Sequence, residues 1–321
     1  MTNNPAGRGR RPTLRDVAHA AGVSVWTVSN AYSRPDRVAS ATRERVLAAA
    51  TAIGYSGPDP VARSLALGRT GIVALQADGD AEPLLADPAV ALMARGLIHA
   101  CDAAGLSVLF AGRLGEVAVD GAVHLRVSPQ TPATHPRVTI DAPGGDAGPT
   151  VRADVAGAGA AMARHLRELG HEAIAWVAVP SDPATATERG RALDAVAGIR
   201  IERIPARGQG YEEGRKLAPA VLASGATAVV AFDGELAPGL LAGLREAGIE
   251  IPGRLSVVGG GPPSDPRSRL TTMTTPFAEM GAAAIDLLGM ALRGATAAPA
   301  LRAVRFDARL EIRGSTGRAP P

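Results

Sequence analysis

The spacing of apolar positions changes near residue 70, and that change divides the chain. Before it, hydrophobic residues recur every three or four positions, which is the helical period. In LRDVAHAA, starting at Leu14, the residues Val17, Ala18 and Ala21 fall on one face. Thr13 stands at the expected N-cap with Asp16 three residues on, a short version of the capping box. Gly22 ends the helix where the chain must turn with positive φ, which glycine does cheaply. Ser24 is placed to cap a second helix, VWTVSNAY, whose Val28 points back at Ala18. A small residue, a glycine in the bend and a branched residue, in that order, are what a helix-turn-helix needs. Trp26 lies between the inward Val23 and Val28, so its ring is expected outside. A third helix over 42–55 places Val46, Ala49, Ala50 and Ile53 on one buried face, with Gly54 ending it. These three helices read as a DNA-binding head.

Pro58-Asp59-Pro60 is a stiff break, and 61–70 offers a helical turn or two with no core of its own. A helix that short is marginal in water and is expected to order only against a partner. From Gly71 the pattern becomes near-continuous apolar runs (71–77, 106–112, 121–127, 137–142, 173–180, 227–233) alternating with amphipathic helices, among them 88–105, 157–171 and 280–294. A last segment, 304–315, closes the chain. Such alternation predicts parallel sheets covered on both faces. The stretch is long for one sheet, so two lobes are expected.

Charge sharpens this division. Residues 1–70 carry ten arginines and four acids, a net of +6, and the whole chain carries +3, so residues 71–321 carry −3. Arginine is favoured throughout, Lys216 being the only lysine, so the asymmetry carries more weight than the total. A basic head on a mildly acidic body suits phosphate-backbone binding.

Candidate chemistry changes the picture mainly by what it excludes. Cys101 is alone, so there is no disulfide framework and no thiolate cluster, and it reads as a core residue. The six histidines show no metal spacing. Gly157-Ala158-Gly159 lacks the third glycine of a phosphate fingerprint, and there is no Walker loop and no G-x-S-x-G. No cofactor is expected, and an α/β enzyme is the rival reading from another class. No stretch approaches a membrane span, and residues 1–11 are polar, arginine-rich and unlike a signal peptide. They read as a disordered arm, and the chain as cytoplasmic.

TLRDVAHAAGVSVWTVSNAYS, RVASATRERVLAAATAIGY and PVARSLALGRTG together are similar to the head and hinge of the lactose-repressor (LacI/GalR) family of bacterial transcription factors, densely over 12–72. In the body, RADVAGAGAAMARHLRELGHEAIAWV, LREAGIEIPGRLSVVG and LTTMTTPFAEMGAAAIDLL resemble that family's landmarks. The resemblance implies a small all-α helix-turn-helix head plus an α/β periplasmic-binding-protein-like body with two doubly wound lobes. It divides the chain into an arm (1–11), head (12–57), hinge (58–70), body (71–315) and tail (316–321). Lobe one would take 71–150 and 277–300, and lobe two 151–276 and 301–315.

The family's base-reading positions fall on Val25, Trp26 and Asn30, with Ser29 helping. Its phosphate contacts fall on Thr13, Arg15, Ser24, Thr27 and Arg37. Asn30 can pair with adenine and Val25 can pack on a thymine methyl. Arginine is the more usual residue where Asn30 stands. In the hinge, Leu65 would wedge into the minor groove beside its symmetry mate, with Arg63 along the backbone. That implies a homodimer on a near-palindromic double-stranded operator. A small-molecule effector, a sugar or another ligand, would sit between the lobes. Its candidate contacts are Asp78, Asp80, Arg189 or Arg191, and Asp233. The family's asparagine–aspartate pair is here Phe232-Asp233, and Gly259-Gly260-Gly261-Pro262 lacks the usual aspartate. A body that only dimerises is therefore the alternative. The serine expected to cap the third helix is Ala39, beside Ser40.

Overall fold

The computed structural model describes residues 12–57, 64, 68–77, 87–112, 114, 117–125, 135–141, 148–179, 183–265, 267–294 and 303–321. The arm, the hinge residues Arg63 and Leu65, and the cleft candidates Asp78 and Asp80 lie outside them. Residues 1–70 and 71–321 form two separate compact units.

The head is three helices around a core of small aliphatic side chains. α1 (Leu14–Ala21) and α2 (Val25–Ser33) are joined through Gly22 at φ 64°, and α3 (Ser40–Ala52) follows a 3-10 turn at Pro35–Arg37. Val17, Val28 and Val46, one from each helix, are wholly buried, with Ala18, Ala21, Ala31 and Ala50 filling between them. Tyr32 closes the far side edge-on to Tyr55, ring centroids 5.9 Å apart. The Asp16 carboxylate accepts both the N–H and the hydroxyl of Thr13, each at 2.7 Å. Ser24 Oγ accepts the Thr27 N–H at 3.0 Å. Ala39 does occupy the N-cap of α3 and supplies no side-chain bond, so that helix lacks the capping contribution of about 1 kcal/mol.

The body holds two six-stranded sheets. The first contains β1 (Ile72–Ala77), β2 (Ser107–Ala111), β3 (Gly121–Leu125), β4 (Arg137–Ile140), β5 (Thr150–Ala153) and β11 (Ala303–Phe306), in the order β11-β5-β4-β3-β1-β2, all parallel. The second contains β6 (Ala173–Ala178), β7 (Arg200–Pro205), β8 (Ala228–Ala231), β9 (Ser256–Gly259), β10 (Thr271–Thr274) and β12 (Arg309–Glu311). Its order is β12-β10-β9-β8-β6-β7, with only β12 antiparallel. Every residue of β3, β8 and β9 is buried, as strands covered on both faces must be. The edge strand β7 instead carries Arg200, Glu202 and Arg203, charges that discourage further pairing.

Helices α4 (Pro88–Ala103) and α10 (Phe277–Leu292) pack on each other, and α10 also lies against β3, β4 and β5. Cys101 is buried in this lobe, and its thiol is pushed up to about 11, by burial first and by Asp102 second. The second sheet is clothed by α5 (Val155–Glu168), α6 (Pro183–Asp194), α7 (Tyr211–Lys216), α8 (Ala218–Ala223) and α9 (Leu236–Glu246). Its core centres on Trp176, tilted against Phe232 with centroids 6.1 Å apart.

Three expectations are corrected here. The strand β5 was not anticipated, because Arg152-Ala153-Asp154 reads as polar, yet it belongs to the first sheet. The closing segment is two strands, not one, and they join different sheets: β11 lies in the first and β12 in the second. The lobe boundary therefore falls after Ala153, and 303–306 belongs to lobe one. The tail, 316–321, is tied to the body. His171 Nε2 approaches the Gly317 carbonyl at 3.1 Å, His165 meets Thr316 Oγ1 at 3.0 Å, and the Ala319 N–H donates to Leu169 O at 2.8 Å.

Candidate functional site

In the head, α2 presents its first turn to solvent. Val25 is 41 % and Trp26 70 % exposed, while Val28 and Ala31, on the opposite face, are buried. Exposure of this kind suits an element that meets a partner, since a lone large aromatic at the surface forfeits its burial energy. Ser24 and Thr27 flank this edge with their hydroxyls 2.8 Å apart, and Arg15 and Arg37 are exposed on α1 and the 3-10 turn. Asn30 departs from the expected base-reading trio. It is only 8 % exposed, and its amide nitrogen has no partner among the described residues. Four residues beyond Trp26, it sits one turn further along α2 and is buried there.

In the body, three chain crossings join the lobes after β5, β10 and β11, and the cleft forms beside them. It lies at the carboxyl ends of strands from both sheets, where open α/β sheets place ligands. It encloses about 80 Å³. Lobe one contributes Asp87, Asp141 and Phe277, lobe two Arg189, Phe232 and Asp233, and the crossings Asp154 and Thr275.

Each acid is held by backbone. Asp87 accepts the Ala89 N–H at 2.9 Å as the cap of α4, and Asp154 accepts the Gly157 N–H at 2.9 Å as the cap of α5. Asp141 sits at φ 48°, a left-handed conformation uncommon for a non-glycine residue, and accepts the Ala153 N–H at 2.8 Å. Asp233 Oδ1 accepts the N–H groups of Glu235 at 2.9 Å and Leu236 at 2.6 Å, at the entry to α9.

Arg189 is the cation of the cleft. Its guanidinium lies 5.3 Å from the centre of the Phe232 ring and donates to the Phe232 carbonyl at 2.5 Å. That seat explains the glycine after β9, since a Cβ on Gly260 would meet Arg189 Nη1 at 2.3 Å and the Phe232 carbonyl at 2.1 Å. Arg191, the other candidate, does not reach the cleft. It is exposed and borders a separate depression with Trp176, Arg203 and Pro205.

Sequence reasoning missed Asp87, Asp141 and Asp154. Asp87 before Pro88 and Asp154 before α5 were legible as helix caps, but nothing local shows that both caps open onto one space. Burial, chiefly, lifts the Asp233 carboxyl above its ordinary range, against the pull of the Leu236 and Glu235 N–H groups; Asp87 and Glu235 lift it further. A raised folded pKa means that the folded state holds a proton the unfolded chain has released, so stability falls as pH rises from 3.8 through the raised value. Asp233→Asn keeps the acceptor for both N–H groups and removes the charge. It will leave the body at least as stable at pH 7 and flatten this part of the pH profile, as urea denaturation at several pH values will show.

A helical head followed by a two-lobed body with a cleft at its strand ends defines a DNA-binding unit joined to a periplasmic-binding-protein-like unit. Residues 13–57 match the family model of bacterial regulatory proteins, lacI family, and residues 163–316 match the periplasmic binding protein-like domain. An HTH-type transcriptional regulator of Mycolicibacterium smegmatis is 30% identical, covering 87% of this chain and 90% of its own. The regulator DegA of Bacillus subtilis is 28% identical over 88% of this chain and 92% of its own. Among solved structures, a lac repressor dimer bound to operator and the anti-inducer ONPF shares the fold with a TM-score of 0.80 at 22% identity, covering 96% of this chain and all of the other. The regulator CelR in complex with cellobiose has a TM-score of 0.68 at 27% identity, covering 95% of this chain and all of the other. The chain belongs to the lacI family of bacterial regulatory proteins. It is a DNA-binding transcriptional regulator, not an enzyme.

Proposed function

We propose that this regulator is a homodimer that binds a near-palindromic operator and changes its affinity when a small ligand occupies the cleft. The observation that carries the reading is the free edge of α2, with Val25 and Trp26 held outward by a core of fully buried valines. Thr13, Arg15, Ser24, Thr27 and Arg37 surround that edge as phosphate contacts, which set register without reading sequence. A relative solved as an operator-bound dimer and another solved with cellobiose support the paired, ligand-responsive arrangement. The cleft's ring of carboxylates suits a hydroxyl-rich ligand, because charged acceptors make the stronger hydrogen bonds. Asp233, Asp141 and Asp87 would accept from it, and Arg189 would lie under it.

The test starts from selection of a binding site out of random duplexes by the purified full chain. Trp26→Ala will weaken binding to the selected operator at least about tenfold and leave the salt-dependent, sequence-blind affinity within about twofold. An equal loss on all duplexes would reduce the head to a non-specific DNA binder. For the cleft, a panel of sugars and nucleosides is screened by thermal shift. A ligand present at about a hundred times its dissociation constant adds about 2.7 kcal/mol. A second reading, a body that pairs subunits and answers to no ligand, is favoured by the engagement of Arg189 with Phe232. A panel without a single shift would favour it.

A further inference from the structure

Most polar groups of α2 already make a hydrogen bond within the head or are buried. Thr27 Oγ1 is 2.8 Å from Ser24 Oγ, and Ser33 Oγ donates to the Ser29 carbonyl at 2.8 Å. Asn30 is buried, and Tyr32 packs on Tyr55. No residue of VWTVSNAYS carries a charge. What this helix offers a major groove is therefore the isopropyl group of Val25 and the indole of Trp26, with only the Ser29 hydroxyl beside them. Direct readout by bidentate hydrogen bonds needs arginine, lysine, asparagine or glutamine on the exposed edge, and this edge has none.

One feature of a base pair's major-groove edge suits an apolar reader, namely the C5-methyl group of thymine. The basic head supplies the occupant's class, because a net charge of +6 over residues 1–70 draws in duplex DNA whatever its sequence. We propose that this regulator recognises its operator chiefly by thymine methyl groups packed against Val25 and Trp26, with Asn30 taking no part in base readout. The proposal rests on the DNA-binding reading above and specifies what that reading recognises. It replaces the Asn30–adenine contact expected from sequence with methyl contacts.

The experiment uses the full-length chain and its selected operator. Each thymine of a half-site is replaced by deoxyuridine, symmetrically in both halves, which deletes one methyl group and leaves pairing intact. At one or two thymine positions, affinity falls about fourfold per methyl group, the worth of one buried methylene, and so about fifteenfold for a symmetric pair. The same substitutions cost Trp26→Ala or Val25→Ala less than twofold at the position each side chain covers. Melting of each variant confirms that the head is folded. Selection of a defined operator whose affinity ignores every thymine-to-deoxyuridine change overturns methyl readout and leaves sequence-specific binding standing. Selection that enriches no sequence overturns both.

Discussion

Alanine at both Gly96 and Gly281 will lower the melting temperature of the body by roughly 5–15 °C. The two glycines face each other's helices where α4 and α10 cross. A Cβ at Gly96 would lie 1.8 Å from the Ala278 carbonyl oxygen, and one at Gly281 would lie 2.0 Å from that of Met93. Both obstacles are backbone atoms inside helices, so no rotamer change relieves them. The helices must part by more than an ångström, and the tight packing of Leu97, Met280, Ala284 and Leu288 opens with them. Overpacking of this kind costs about 1–3 kcal/mol at each site. Calorimetry on the double variant measures it. An unchanged melting temperature would mean that the crossing is looser than described. The head, a separate compact unit, will keep its helical signal.

Acid will destabilise the body below about pH 6.5, with His171 a principal cause. This ring is 1 % exposed; its Nε2 lies 3.0 Å from Ser256 Oγ and 3.1 Å from the Gly317 carbonyl, and its Nδ1 lies 2.9 Å from Thr227 Oγ1. Burial holds its pKa below the ordinary 6.5, against the pull of the Gly317 carbonyl, and His165 lowers it further. His165 and His135 are lowered by burial too. The folded state then binds fewer protons than the unfolded chain, so stability is fully present above 6.5 and is lost as pH falls towards the depressed values. Each such proton adds a slope of about 1.4 kcal/mol per pH unit. His171→Leu will cost about 2–3 kcal/mol at pH 7.5 through the loss of its hydrogen bonds to Thr227, Ser256 and the Gly317 carbonyl. It will also make the acid limb shallower by up to one proton. Denaturation across pH 5–8 separates the two effects, and an unaltered acid slope would assign the sensitivity to His165 and His135. Asp233 acts with the opposite sign, so Asp233→Asn and His171→Leu tilt the profile in contrary directions.

The head was largely legible because its information is local. Thr13 with Asp16, Gly22, Ser24 and Val28 each act within a turn or two of helix, and the structure shows their bonds and burial. The exposure of Trp26 followed from the same periodicity. The burial of Asn30 was not legible, because it lies one turn from the exposed Trp26 on the same helix and only the surrounding packing covers one and not the other. In the body, alternating strand and helix foretold two parallel sheets, but not the crossing of 303–311 from one sheet to the other. Ala303–Phe306 and Arg309–Glu311 both read as extended chain, and only pairing with β5 and with β10 separates them.

The amino-acid sequence alone thus determined the class of each element, the bend of the helix-turn-helix, the basic sign of the head and the family, since each depends on residues close in the chain. Tertiary structure decided which acids share the cleft. Asp87, Asp141, Asp154 and Asp233 cap or close four different elements, and they meet because both sheets end their strands at one seam. It likewise decided that Arg189, not Arg191, turns inward. Two positions apart on a helix point about 200° apart, and only the neighbouring sheet says which direction is the interior.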